Sequence, residues 1–312
     1  MFDLTGKKIW VAGHNGLVGS ALCKRLATEN CQLLTVEKSE LDLRRQVDVE
    51  AWMSANHPDV VIIAAAKVGG IEANRSYPTE FLYDNALISM NIIHAAAQFG
   101  VEKLLNLASN CMYPRLAEQP IKESSLLTGP LEPTNEAYAL AKIAATKLTE
   151  FYFTEQGKAF ITIVPTSLYG AGDHFDEQRS HVIPALFRKF HLAKQQGKSQ
   201  VEAWGTGSPT REFMYIDDAA DGIVYLLKHY QQPAPINLCG TESISIKDLS
   251  ELIQRLVGFD GGIVWDTSKP DGMPHKALDS ERLFAYDWRP KITFEAGLAL
   301  TYDDFLLRHA AD

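Results

Sequence analysis

The sequence predicts an α/β protein, a doubly wound parallel sheet joined to a smaller α+β lobe. Three observations carry that expectation. Short apolar runs alternate with helical periodicity through the first half of the chain, as repeated strand–helix–strand units do. The run at 60–65 has no polar residue and leads into three alanines, Ala64, Ala65 and Ala66, as a strand buried on both faces would. The second half is less regular, with short elements set between Pro- and Gly-rich loops at 205–209 and 269–274.

In order, residues 8–12 read as a strand, 16–29 as the helix after it, and 32–37 and 60–65 as the next two strands. A long helix at 79–99 precedes a strand at 103–108, and a second long helix at 136–156, rich in Ala, Lys and Leu, precedes a strand at 160–165. The second half gives helices at 182–196, 217–229, 246–257 and 294–307 and strands at 201–204 and 235–239. Ser245 is placed to cap the third of these helices, with Asp248 three residues on. The expected division is 1–168 for the sheet domain, completed by elements from about 213–240, and 169–312 for the smaller lobe.

A length of 312 residues fits two domains, and 46% hydrophobic residues supply a large core. With 30 Lys and Arg against 39 Asp and Glu, the net charge is -9 and no basic run stands out. That argues against a nucleic-acid or anionic-membrane partner. The longest apolar run is far shorter than the ~20 residues that span a bilayer, and the first ten residues lack the apolar stretch of a signal peptide. Cys23, Cys31, Cys111 and Cys239 form no CxxC pair, so neither a zinc site nor a disulfide scaffold is expected. A cytoplasmic location is the simplest expectation.

Gly13, His14, Asn15, Gly16, Leu17, Val18 and Gly19 follow a predicted strand and open a predicted helix. Glycines at this spacing permit a tight turn, close approach of backbone to a pyrophosphate, and close helix–sheet packing. The helix N-terminus then favours the phosphates. This is the pattern of a Rossmann dinucleotide site, although a glycine-rich turn alone would read the same. Glu37 lies 18 residues past Gly19, where a carboxylate would take ribose hydroxyls and favour NAD. Lys38, its neighbour, could attract a 2′-phosphate instead, so the local sequence leaves the cofactor open.

Tyr138 and Lys142 are four residues apart and share one helix face. An ammonium beside a phenol is expected to lower its pKa and suit it to acid–base work. Ser109, at the end of the preceding strand, is placed to polarise a substrate carbonyl.

The glycine loop, Ser109 and the Tyr138/Lys142 pair resemble the extended short-chain dehydrogenase/reductase family. Residues 64–70 (AAAKVGG), 111–114 (CMYP), 129–136 (GPLEPTNE), 180–185 (SHVIPA), 211–213 (REF) and 271–274 (DGMP) narrow the resemblance. They are similar to the GDP-L-fucose synthases, which epimerise GDP-4-keto-6-deoxy-D-mannose at C3 and C5 and reduce it at C4. The resemblance implies Cys111 and His181 as the epimerising acid–base pair, with Tyr138, Lys142 and Ser109 serving the reduction. It implies further cofactor contacts at Pro165, Leu168 and His181, and substrate contacts at Val182, Lys189, Trp204, Arg211, Asp271 and Lys276. It also implies NADP(H) and a homodimer built on the two long helices. Plainer readings remain: Cys111 as a buried apolar filler, His181 as a helix-terminal residue, Trp204 as core.

The chain departs from the family pattern in places. Asn15 stands where an Arg is common in the glycine loop, and Val36 followed by Glu37 replaces another at the end of the second strand. Those arginines meet a 2′-phosphate, so NAD(H) stays open beside NADP(H). Asn110 stands between Ser109 and Cys111, Ser167 replaces an Asn, and Lys189 replaces a nucleotide-binding Arg. A Lys cannot make the bidentate fork of an Arg. The same chemistry on a 3-deoxy or heptose GDP-4-keto sugar, or a simple 4-epimerase, are the alternative functions.

Overall fold

The apolar runs of the first half become the strands of one parallel sheet. The computed structural model describes residues 1–175, 180–240, 242–269, 271 and 273–308. The large sheet is built from β1 (Lys8–Ala12), β2 (Gln32–Leu34), β3 (Val60–Ile63), β4 (Lys103–Leu107) and β5 (Ala159–Pro165), joined after a long excursion by β9 (Ile236–Leu238). Their order is β2-β1-β3-β4-β5-β9, and every pairing is parallel. The chain leaves β1 to one side for β2, then crosses to the other side for β3. The loops after β1 and β3 therefore part at the carboxyl edge, where open α/β sheets bind ligands.

Alternation along each strand sorts the core into two layers. Ile9 and Val11 join Leu22 and Leu26 of α1 (Leu17–Leu26) on one face, while Trp10 and Ala12 meet the other core. That second layer holds Val49 and Met53 of α2 (Gln46–Asn56), together with apolar residues of α4 (Pro78–Gln98) and α5 (Glu136–Gln156). A short α3 (Ile71–Ser76) precedes α4.

The smaller lobe uses β6 (Ser167–Tyr169), β7 (Gln200–Trp204), β8 (Thr210–Tyr215), β10 (Ser243–Ser245), β11 (Gly262–Asp266) and β12 (His275–Lys276). β8 is its hub, pairing parallel with β6 and β12 and antiparallel with β10. Its helices are α6 (Val182–Gln195), α8 (Ile246–Val257), α9 (Glu281–Phe284) and α10 (Phe294–Arg308). Between these, α7 (Ile216–His229) returns to lie beside α1, tied by Arg25–Asp221 (2.8 Å) and Lys228–Glu29 (3.1 Å).

The sequence-based elements differ from the structure in specific ways. The strand expected at 32–37 ends at Leu34, because pairing with β1 stops there and Glu37 turns toward the glycine loop. α2 has no counterpart among the expected elements: it buries only Val49 and Met53, too sparse a stripe to show as periodicity. β8 and β12 exist through long-range pairing, which local pattern does not encode. Among the described residues no helix is long and apolar enough to cross a membrane. Gly272, within the 271–274 stretch, lies outside the described residues, as do residues 309–312.

Candidate active site

The site grows from the carboxyl edge of the large sheet. Gly13 has φ +90°, and a Cβ there would stand 2.6 Å from the Ala65 backbone that follows β3. A Cβ on Gly19 would overlap the Gly13 carbonyl. The two glycines let helix, loop and neighbouring strand end close on one another. Gly16 caps α1 without any side-chain hydrogen bond, and the first turn carries no acid. The free N–H groups of that turn suit a pyrophosphate, so the residues present fit a dinucleotide. Beyond the loop, Glu37 Oε2 accepts from Asn15 Nδ2 at 2.9 Å and Oε1 lies 3.2 Å from His14 Nε2. Asn15 and then His14 hold the Glu37 carboxyl below its usual range. Lys38 is exposed beside it.

β4 ends one residue short of Ala108, and Ser109 follows in extended conformation, its Oγ accepting from the Cys111 N–H at 3.4 Å. That bond caps a single 3-10 turn and turns Cys111 inward, 5% exposed. On α5, Lys142 is 3% exposed and its Nζ donates to the Leu107 carbonyl at 2.7 Å. The lysine thereby ties the helix to the strand that delivers Ser109. Tyr138 lies one turn earlier, edge-on to Phe81 at 6.3 Å between centroids.

The expectation that Lys142 lowers the Tyr138 pKa is not met. The Lys142 ammonium sits 5.7 Å from the ring centroid and is spent on the Leu107 carbonyl. Burial, then the charge of Cys111, pushes the phenol up instead. Burial also raises the Cys111 thiol, opposed by Lys276, the Ser109 hydroxyl and Lys142. Burial drives Lys142 down to about 8, and Lys276 to about 8. These mutual effects place the thiol, the phenol and both ammonium groups in one electrostatic cluster.

Lys276 reaches the cluster because β12 pairs it with Arg211 on β8. Glu132, which sequence reasoning passed over, balances them: it is buried, lies 3.2 Å from Arg115 Nε, and its charge favours the charged forms of Arg211 and Lys276. Its signal was present in the acid before Pro133, where its Oε1 caps the turn leading into α5.

The other expected residues fall in two places. His181 is the exposed N-cap of α6, followed by Val182, and its neighbour Ser180 abuts Gly70 after β3. His181 interacts electrostatically with the buried Asp173, and no hydrogen bond links it to Cys111 among the described residues. Pro165 closes β5 and Leu168 sits in β6, at the join of the two sheets. Farther out, Trp204 is 56% exposed, so it is no core residue, and its ring has the Lys189 and Lys269 ammonium groups at 5.5 and 5.4 Å. Asp271 accepts from the Thr206 N–H (2.7 Å) and hydroxyl (2.8 Å), so its carboxylate pins the loop after Trp204. Lys269 was not expected; an exposed aromatic flanked by loop lysines was the available sign.

A dinucleotide cradle at the switch point of a parallel sheet, with a Tyr–Lys helix beside it, defines a nicotinamide-dependent dehydrogenase/reductase. The chain belongs to the NAD dependent epimerase/dehydratase family, which it matches over residues 9–239. It is 51% identical to a GDP-L-fucose synthase of Sinorhizobium fredii over 306 residues, covering 98% of each chain. Its structure is similar to a GDP-L-fucose synthetase from Naegleria fowleri bound to NADP (TM-score 0.90, 30% identity, 100% of this chain and 97% of that one). It is also similar to a GDP-6-OMe-4-keto-L-xylo-heptose reductase from C. jejuni (TM-score 0.91, 31% identity, 97% and 98% covered).

Proposed function

We propose that the protein converts GDP-4-keto-6-deoxy-D-mannose to GDP-L-fucose, inverting C3 and C5 and then reducing C4. The observation that carries this reading is the meeting of the Cys111 thiol with the Tyr138 phenol and two ammonium groups at the edge of the dinucleotide cradle. The C4 ketone acidifies the protons on both neighbouring carbons. Cys111 and His181 exchange those protons across the two faces of the ring. Lys276, the Ser109 hydroxyl and Lys142 oppose the burial that raises the thiol, without overcoming it. A bound nicotinamide supplies the hydride to C4. Ser109 holds the C4 oxygen, Tyr138 gives it a proton, and Lys142 fixes the helix that carries Tyr138. A phenol whose pKa is raised stays protonated at neutral pH, the state that a proton donor to an alkoxide requires.

Residues 1–168, with about 213–240, carry the cofactor in this reading, Pro165 and Leu168 lining its inner end. The remainder, 169–312, holds the GDP-sugar through Val182, Lys189, Trp204, Arg211, Asp271 and Lys276. The heptose reductase likeness, and Lys189 in place of an Arg, favour a second reading in which a related GDP-4-keto sugar is the substrate. Mixing the protein with GDP-4-keto-6-deoxy-D-mannose and a reduced nicotinamide dinucleotide should consume the dinucleotide and yield GDP-L-fucose. Conversion without net consumption would instead identify an epimerase that acts at C3 and C5 and does not reduce C4.

The free cysteines suit a reducing cytoplasm. α4 and α5 leave Leu82, Tyr83, Met90, Leu140 and Phe151 exposed, an apolar face suited to a second copy. Light scattering should accordingly give twice the mass of the 34.6 kDa chain; a monomer would refute the homodimer.

A further inference from the structure

We infer that Glu37 makes the cofactor site select NADH over NADPH, because its carboxylate is locked at the edge of the glycine loop where the adenosine ribose is read. The inference rests on the nicotinamide reading of the site and deepens it. Ribose recognition in a parallel sheet of this kind belongs to the turn after the second strand, where an acid accepts from the ribose hydroxyls. Glu37 lies three residues beyond β2 and is held from the loop side by Asn15 at 2.9 Å, with His14 at 3.2 Å. Asn15 belongs to the cradle itself, so the carboxylate and the phosphate site are parts of one rigid unit.

Each carboxylate oxygen has two acceptor positions. Asn15 and His14 occupy one on each oxygen, leaving one on each free to face a ribose hydroxyl. A 2′-phosphate in the same place would meet an ionised carboxylate, kept so by its hydrogen bond from Asn15. Like charges at short range repel.

Arg44 and Lys67 are already engaged by carboxylates. Arg44 is committed to Asp42, with Nε and Nη2 each at 2.9 Å, and its Nη1 lies 3.4 Å from Asp84. Lys38 lies in the field of the same Asp42, whose carboxyl Arg44 holds down to about 2. Lys67 pairs with Glu80 and Asp84. Apart from the exposed Lys38, a 2′-phosphate would need a cation freed from one of these carboxylates, whereas a ribose hydroxyl needs only Glu37 as it stands.

The test is a binding measurement on the purified full-length chain. Nicotinamide fluorescence titrated with protein gives dissociation constants for NADH and NADPH, and competition by ADP against 2′,5′-ADP isolates the ribose end. NADH is expected to bind at least about tenfold more tightly, with ADP the better competitor. Glu37→Gln keeps the shape but removes the charge, and should narrow the gap; Glu37→Arg should reverse it. Equal or tighter binding of NADPH to the unaltered protein would overturn the inference, and so would a gap that neither variant changes. NADPH preference would leave the nicotinamide site standing, whereas failure of both dinucleotides to bind would remove the site together with the inference.

Discussion

Tyr138→Phe should stop reduction and leave epimerisation running. The substitution removes one hydroxyl and keeps the ring that packs edge-on against Phe81, so the start of α5 is expected to hold its shape. On the proposed mechanism, what is lost is the proton for the forming C4 alkoxide. General acid catalysis by a positioned side chain is worth roughly 10²–10⁴-fold, so kcat for reduction should fall by about two to four orders of magnitude, with KM little changed. Substrate incubated with this variant in deuterated water should still take up deuterium at C3 and C5. Reduction at an undiminished rate would remove Tyr138 from the chemistry.

The pH profile of the unaltered protein follows from the same cluster. Lys142 and Lys276 are pushed down to about 8, so the positive charge around Cys111 and Tyr138 is present below that pH and drains away above it. Activity that depends on this charge should decline as pH rises through about 8. Stability moves the other way. Between about 8 and the ordinary lysine value of 10.5, the unfolded chain binds more protons at these two positions than the native one. Unfolding free energy should therefore rise with pH across that window. Denaturant melts at several pH values test the sign, since a fall there would contradict the buried ammonium groups.

Cys111→Ser is the complementary variant. The side chain is 5% exposed and the exchange nearly isosteric, so the fold should survive with a cost of about 1 kcal/mol. A hydroxyl is far weaker than a thiol as an acid or base near neutral pH. Deuterium incorporation at C3 and C5 should drop by about 10²–10⁴-fold, and GDP-L-fucose should cease to form even though Tyr138 is intact. Full incorporation at both carbons would show that the thiol is only a buried filler.

The legible parts of this molecule are those whose chemistry is local. α5 runs over Glu136–Gln156, the same residues its composition indicates, and the Ser245 hydroxyl accepts from the Asp248 N–H at 3.0 Å as the cap pattern requires. The all-apolar run becomes β3, fully buried. Gly13 and Gly19 announce their tight packing through spacing together with the strand before them and the helix after. The pairing of Lys276 with Arg211 is a different matter, because a two-residue strand exists only through its neighbour. The balance at Tyr138 escapes the sequence for a related reason. Spacing shows that Lys142 is near, but not that the Leu107 carbonyl engages it, nor how far the surrounding protein shuts the half-buried phenol off from water. Burial is a property of the assembled core, and it outweighs a contact that one helix can encode.

The return of α7 and β9 to the large sheet has a mechanical consequence. The backbone passes between the two sheets at Thr166, again from Tyr215 into Ile216, and again after Leu238. Thr166 donates its N–H to the Leu238 carbonyl at 2.9 Å and its hydroxyl to the Glu212 carbonyl at 3.1 Å, so these passages are laced together along one seam. Each passage is a covalent tether between the sheets, and the Thr166 bonds fasten β5, β8 and β9 to one another where they meet. Severing a single tether with a protease should leave the halves joined.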